Sequence, residues 1–379
     1  MISTLDVGAS MAKHLIFLVH GMGRYGHVDG GKFKPDTAGW FASARAALKD
    51  NYDTFIKGGM GLGVSFEDRF EVADVVYDDV FEKIRTAWSK QAEGWKLLGL
   101  DTGFIGKIQS VLQQKDEDNF LWTHVADVAF YALPLTRDAV KMHVVSQMLD
   151  KLAKVIGDGP FDSWSVVAHS LGTAVVHDSL LILQHRAQKQ FGDWLPPRSL
   201  CMIANVARAL TNNDTTCYDE VIAPTGPGHP DYYLNANHEL DPFTRIDPFR
   251  PTSGGWVAPG SRYRDVSGLS DFLLAKELVD WAQDWSDFSK FATLIPHGFT
   301  HYLRQPDVTL NLWCSVLSRP PSQFLAVKEA VRQANTAKLR DDIAADLRGE
   351  LSHLVSQAEA QQEKTIGSFL KILERLESF

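Results

Sequence analysis

The chain has 379 residues, 45% of them hydrophobic and 22% charged, enough for one large α/β domain or two ordinary ones with a sizeable core. Its formal net charge of -9, with no basic run carrying interleaved aromatics, argues against a nucleic-acid partner, because phosphate binding needs a concentrated basic surface. Cys201, Cys217 and Cys314 lie far apart with no C-x-x-C spacing, which argues against a zinc site or a disulfide framework and fits a reducing cytoplasm.

The N-terminus lacks the basic-then-apolar layout of a secretory leader. Its first apolar run, Leu15 to Val19, is too short to span a bilayer, so no transmembrane segment is expected. That run suits a central strand buried on both faces. It ends in His20-Gly21-Met22-Gly23-Arg24-Tyr25-Gly26, where the glycines let the backbone turn and expose N–H groups. Trp40, Phe41, Ala44, Ala47 and Leu48 recur at helical spacing, predicting a helix over 37–48 that returns across the sheet. The cluster Gly58 to Gly63 has neither P-loop nor G-x-G-x-x-G spacing and reads as a connection. Phe70 to Tyr77 alternates like a second strand.

The long stretch that follows carries helical segments. Residues 78–118 read as a helical insert, its tryptophans and leucines suiting either ordinary helices or a cap over a cleft. Helices over 120–133 and 136–156 are expected on either side of Pro134, the second with an apolar stripe through Val140, Val144, Val145, Met148, Leu149, Leu152 and Val155. Trp164, Val166, Val167 and Ala168 then form a buried strand that runs into Ser170 and a helix over 173–190. Ala168-His169-Ser170-Leu171-Gly172 has the layout of a nucleophile elbow with Ala in place of the first Gly; small residues two before and two after the serine let strand and helix pass closely. Leu200 to Ala204 and Tyr232 to Asn237 supply further strands, and Tyr263 to Val266 an edge strand. Asp241 and Asp247 both precede proline in the loop after the Tyr232 strand, where either could equally be a plain turn aspartate. A helical pattern over 272–285 leads to His297 and His301, and Pro306 begins another helix. Beyond Pro320-Pro321 the composition shifts to amphipathic helix with Ile343, Leu347, Leu351 and Leu354 at spacings of three and four. This tail could pack back on the domain, self-associate or dock a protein partner.

Alternating strands and helices predict a mostly parallel central sheet covered by helices on both faces, with reactive groups at the carboxyl ends of the strands. The stretches Val19-His20-Gly21-Met22, Ala168 to Gly172, Asn237 to Phe243 and the late histidine segment together resemble the α/β-hydrolase superfamily, in particular its lipase-like serine esterases. The resemblance covers residues 13–318. It implies an α/β-hydrolase catalytic domain over 1–320, leaving 321–379 as a helical C-terminal extension.

The resemblance further implies acyl transfer without a cofactor, acting on a small-molecule acyl ester or a lipid. Ser170 would be the nucleophile, Asp241 the acid in preference to Asp247, and either His297 or His301 the base. The backbone N–H groups of Met22 and Leu171 would form the oxyanion hole, with His20, Gly21 and His169 lining the site. His177, His185 and His238 lie on the wrong elements or too early for the base. A metal set could be assembled from His229, Asp231, His238 and Asp241, but no tight ligand spacing recommends it, and no metal is expected. The rival expectation is an interaction protein: a hydrolase-like domain whose helical tail docks a partner, with hydrolysis secondary or lost.

Overall fold

The structure, a computed structural model, describes residues 12–21, 26–29, 32–35, 39–59, 63–81, 83, 131, 134–210, 218, 220–226, 228–238, 241–245, 247–251, 256, 261–269 and 297–346. Six strands, β1 (Lys13–Val19), β4 (Phe70–Val75), β5 (Phe161–His169), β6 (Ser199–Ile203), β7 (Tyr232–His238) and β8 (Tyr263–Leu269), form one sheet in the order β4-β1-β5-β6-β7-β8. All five pairings are parallel. A separate antiparallel hairpin, β2 (Gly26–Asp29) with β3 (Lys32–Pro35), follows β1 and had no clear signal in the sequence.

Strand period two divides the core into two layers. Leu15, Phe17 and Val19 of β1, with Trp164, Val166 and Ala168 of β5, pack beneath α3 (Pro134–Asp158) and α4 (Leu171–Phe191). Ile16 and Leu18 of β1, with Val167, Cys201 and Ile203, face the opposite way. There they meet α1 (Trp40–Asn51), α6 (Phe299–Arg304), α7 (Pro306–Val316) and α8 (Leu325–Asp346). Two further helices, α2 (Phe66–Arg69) and α5 (Pro242–Arg245), are one turn long. Helices therefore cover both faces, as the near-continuous apolar strands require, and the fold is α/β with a parallel sheet.

The strand order fixes where a site can form. From β1 the chain moves to β4 on one side, then crosses back to β5 on the other and continues outward through β6, β7 and β8. The carboxyl ends of β1 and β5 thus flank the point where the winding reverses, and connections there diverge and leave a crevice. Val19 pairs with Ala168 across that seam, which brings His20-Gly21 level with His169-Ser170.

The element bounds differ in places from the sequence expectations. The first helix starts at Trp40 and continues past Asn51 as a π-helical segment, Tyr52–Lys57, with Tyr52 and Ile56 buried. Pro134 opens α3, two residues earlier than the expected start at 136, where a missing N–H removes no intrahelical bond. Nearly all of the insert at 78–118, the helices expected over 120–133 and 272–285, and the tail beyond 346 lie outside the described residues. The start of the C-terminal extension packs on the domain: Phe324, Val327 and Val331 are buried in the same layer as Trp313 and Leu317, and Lys328 pairs with Asp307. No helix among the described residues is long and apolar enough to cross a membrane.

Candidate active site

Ser170 stands at the junction of β5 and α4 with φ 52° and ψ -127°, a backbone conformation that a residue with a Cβ adopts only when its surroundings impose it. They do. The Ser170 N–H donates to Ile203 O at 3.0 Å, and the Ser170 carbonyl accepts from both the N–H (2.8 Å) and the hydroxyl (2.7 Å) of Thr173. The seam with β1 tightens the turn further. A Cβ on Gly172 would lie 2.3 Å from His20 O and 2.8 Å from Val19 O, and one on Gly21 would lie 2.8 Å from Ser170 Cβ. Neither position has room for a side chain, which is the physical content of the small-residue pattern in the sequence.

The hydroxyl of Ser170 is hydrogen-bonded to His297 Nε2 at 2.7 Å, and His297 Nδ1 to Asp241 Oδ2 at 2.8 Å. The proton positions follow from the partners. A carboxylate can only accept, so Nδ1 carries the proton; Nε2 then presents its lone pair, and the serine hydroxyl donates to it. His297 occupies the turn just before α6, and Asp241 lies three residues after β7. Asp241 is fully buried, and each of its carboxylate oxygens is engaged. Oδ1 accepts the Phe243 N–H at 3.0 Å, and Oδ2 accepts the Tyr302 hydroxyl at 2.8 Å in addition to His297.

The rival residues go elsewhere. Asp247 is half-exposed and pairs with Arg208 at 3.3 Å. His301 is buried on α6 with its ring against His238, and its Nε2 is 3.5 Å from Gln305 Nε2. Of the two candidate bases, the structure brings His297 to Ser170 and Asp241.

His20, Gly21 and His169 surround this chain of groups. His169 Nε2 donates to the carbonyl of His297 at 2.5 Å, and its ring stacks on Trp40. Burial first, then the neighbouring His297, lowers its pKa to about 3, so it is a neutral ring that braces the backbone of the base. His20 Nδ1 donates to Gly21 O at 2.7 Å, and its ring stacks on Tyr77 with centroids 4.1 Å apart. The Tyr77 hydroxyl in turn donates to the His20 carbonyl at 2.8 Å, with Gly21 O at 3.1 Å. Leu171 opens α4, where a first-turn N–H has no intrahelical acceptor and faces the end of the helix. Met22 lies outside the described residues.

Sequence reasoning missed Tyr302, Tyr77, Trp40 and Phe243. Phe243 places its ring 4.6 Å from that of His297. Only their aromatic character was visible in the sequence, and that signal does not separate site walls from core. No group of three or more His, Cys, Asp or Glu residues among the described residues is arranged to hold a metal ion. The chain matches no family model, no curated protein and no solved structure.

Proposed function

We propose that this chain is a serine hydrolase of the α/β-hydrolase superfamily, lipase- or esterase-like, that cleaves carboxylic esters through an acyl-enzyme. The observation that carries this reading is the continuous hydrogen-bonded run Ser170–His297–Asp241, with the serine held at φ 52° on a strand-to-helix turn. The chain order Ser, Asp, His and the positions of the three residues, after β5, after β7 and beyond β8, agree with the superfamily's arrangement.

In this reading the Ser170 hydroxyl attacks the ester carbonyl as its proton passes to His297 Nε2. Asp241 holds the ring in the productive tautomer and stabilises the imidazolium. The carbonyl oxygen, now carrying the negative charge, takes hydrogen bonds from the N–H groups of Leu171 and Met22; losing one such donor typically costs about 3 kcal/mol of barrier. The imidazolium then protonates the departing alcohol. A water molecule repeats the sequence on the acyl-enzyme, releasing the acid and regenerating the serine. Phe243 against His297 and Trp40 against His169 give the site apolar neighbours, which supports an apolar acyl group on a small ester or lipid. We assign the protein to the cytoplasm because its cysteines are scattered; Cys201 and Cys314 are buried free thiols, with burial pushing their pKa up to about 11 and about 12.

A fluorophosphonate probe with mass mapping of the adduct tests the proposal. Wild type should label at Ser170, Ser170→Ala and His297→Ala should not, and His301→Ala should. A folded wild-type protein that does not react, or a Ser170→Ala variant that labels equally, would overturn the assignment. A panel of esters graded in acyl length then reads the substrate preference.

A further inference from the structure

We propose that Tyr302 is a fourth, positioning member of the catalytic group, orienting the Asp241 carboxylate and limiting how strongly it pulls on His297. This rests on the serine-hydrolase reading above and deepens it.

Three groups surround the Tyr302 hydroxyl, and the charged carboxylate is a stronger acceptor for its proton than the Thr244 hydroxyl also within reach. The phenolic oxygen accepts the backbone N–H of His238 at 3.0 Å, and that group can only donate. Asp241 Oδ2, 2.8 Å away on the other side, can only accept. The Tyr302 proton is therefore directed at the same carboxylate oxygen that takes the His297 Nδ1–H. Tyr302 has no solvent exposure, and neither does Asp241, so water does not compete for these positions. Burial and the adjacent Asp241 charge push the Tyr302 pKa well above its ordinary value, so the hydroxyl stays a donor across the working pH range.

Two consequences follow for Asp241. With the Phe243 N–H on Oδ1 and the Tyr302 hydroxyl on Oδ2, the carboxylate plane is fixed from both ends before His297 is considered. In addition, one oxygen is shared between two donors, so each hydrogen bond is weaker than it would be alone. The His238 N–H ties the same phenol to the end of β7, so the acid is referenced to the sheet rather than to its own loop. The other titratable rings nearby are His169 beside His297, and His238 and His301 beside Tyr302. Tyr302 and His297 thus share Oδ2.

The test uses the full chain in three forms: wild type, Tyr302→Phe, and the protein with 3-fluorotyrosine placed at position 302, whose more acidic phenol is a stronger donor of nearly unchanged shape. Two readouts are taken. Steady-state hydrolysis of a short-chain ester should show kcat reduced roughly tenfold in Tyr302→Phe with KM within about twofold, because a misdirected acid affects only the reacting geometry. The far-downfield proton resonance of the His297 Nδ1–H should move further downfield in Tyr302→Phe, where Oδ2 has lost its second donor, and upfield with 3-fluorotyrosine. A residue that only fills space would leave that resonance in place. An unmoved resonance, or a kcat equal to that of wild type, overturns the assignment. Should Tyr302→Phe fail to fold, the fluorotyrosine protein decides the matter by the direction of its shift. Failure of wild type to label with fluorophosphonate overturns the serine-hydrolase reading and this one with it. Normal wild-type labelling with an unmoved resonance overturns only the role of Tyr302.

Discussion

The backbone of Ser170 offers a test that needs no substrate. At φ 52° and ψ -127° a residue with a Cβ is strained by about 1–3 kcal/mol. Ser170→Ala and Ser170→Gly both lose the hydrogen bond to His297, so that term cancels when the two are compared with each other. Going from Ala to Gly at an ordinary buried site destabilises by about 0.5–1 kcal/mol through unfolded-chain entropy, and by about 0.8 kcal/mol for the methyl group lost from the core. The sum, roughly 1.5 kcal/mol, is opposed here by the strain released. The expected outcome lies between Ser170→Gly being weaker by about 0.5 kcal/mol and its being more stable by about 1.5 kcal/mol. Urea denaturation of the two variants, with equal slopes and compared midpoints, measures the difference. If Ser170→Gly is the weaker by 1 kcal/mol or more, as at an ordinary position, the elbow is not strained and the argument fails.

Asp241→Asn should lower kcat on the order of 10⁴-fold, since an amide next to His297 favours the wrong tautomer; Asp247→Asn, on a residue paired with Arg208, should leave the ester hydrolysis rate unchanged. Phe324→Ala should destabilise by about 3–5 kcal/mol, and truncation after Pro321 should give an insoluble or unfolded product, because Phe324, Val327 and Val331 complete one layer of the core. A truncated chain that folds and labels normally would refute this. His14 and His169 have folded-state pKa values lowered to about 3 from 6.5, chiefly by burial. The unfolded chain therefore takes up protons below pH 6.5 that the folded chain refuses until about pH 3, and stability falls as pH drops through that window. The slope is about 1.4 kcal/mol per pH unit for each histidine. Urea midpoints that do not change between pH 7 and pH 5 would contradict it.

How much of this was legible in the sequence depended on the range of the interaction involved. β1, β5 and β6 were visible because strands buried on both faces are continuous apolar runs, and Leu15 to Val19 or Leu200 to Ala204 could hardly be anything else. The elbow was visible because its residue pattern is short: Gly172 sits two residues after Ser170, at a position where the β1 backbone leaves no space for a side chain. The choice between His297 and His301 was not legible. Both lie on the same short segment, and which ring reaches Ser170 depends on how α6 docks, a matter of tertiary packing with no local spacing rule. Tyr302 was hidden for the same reason. Its hydroxyl meets a carboxylate 61 residues away, and a buried tyrosine on a helix reads as core. The π-helical continuation of α1 had no sequence signal that periodicity could detect.

The short helix α6 couples parts of the site that the chain otherwise keeps apart. His297 lies just before it and Tyr302 within it, so the base and the brace of the acid are five residues apart on one rigid segment, while the serine is 127 residues from His297. Lifting α6 from the sheet would withdraw the general base and release the carboxylate in one movement, leaving the strained serine intact but inert. The group is thus drawn from three places: Ser170 from the junction of β5 and α4, Asp241 from the turn after β7, and His297 with Tyr302 from the segment that seats α6 in the core.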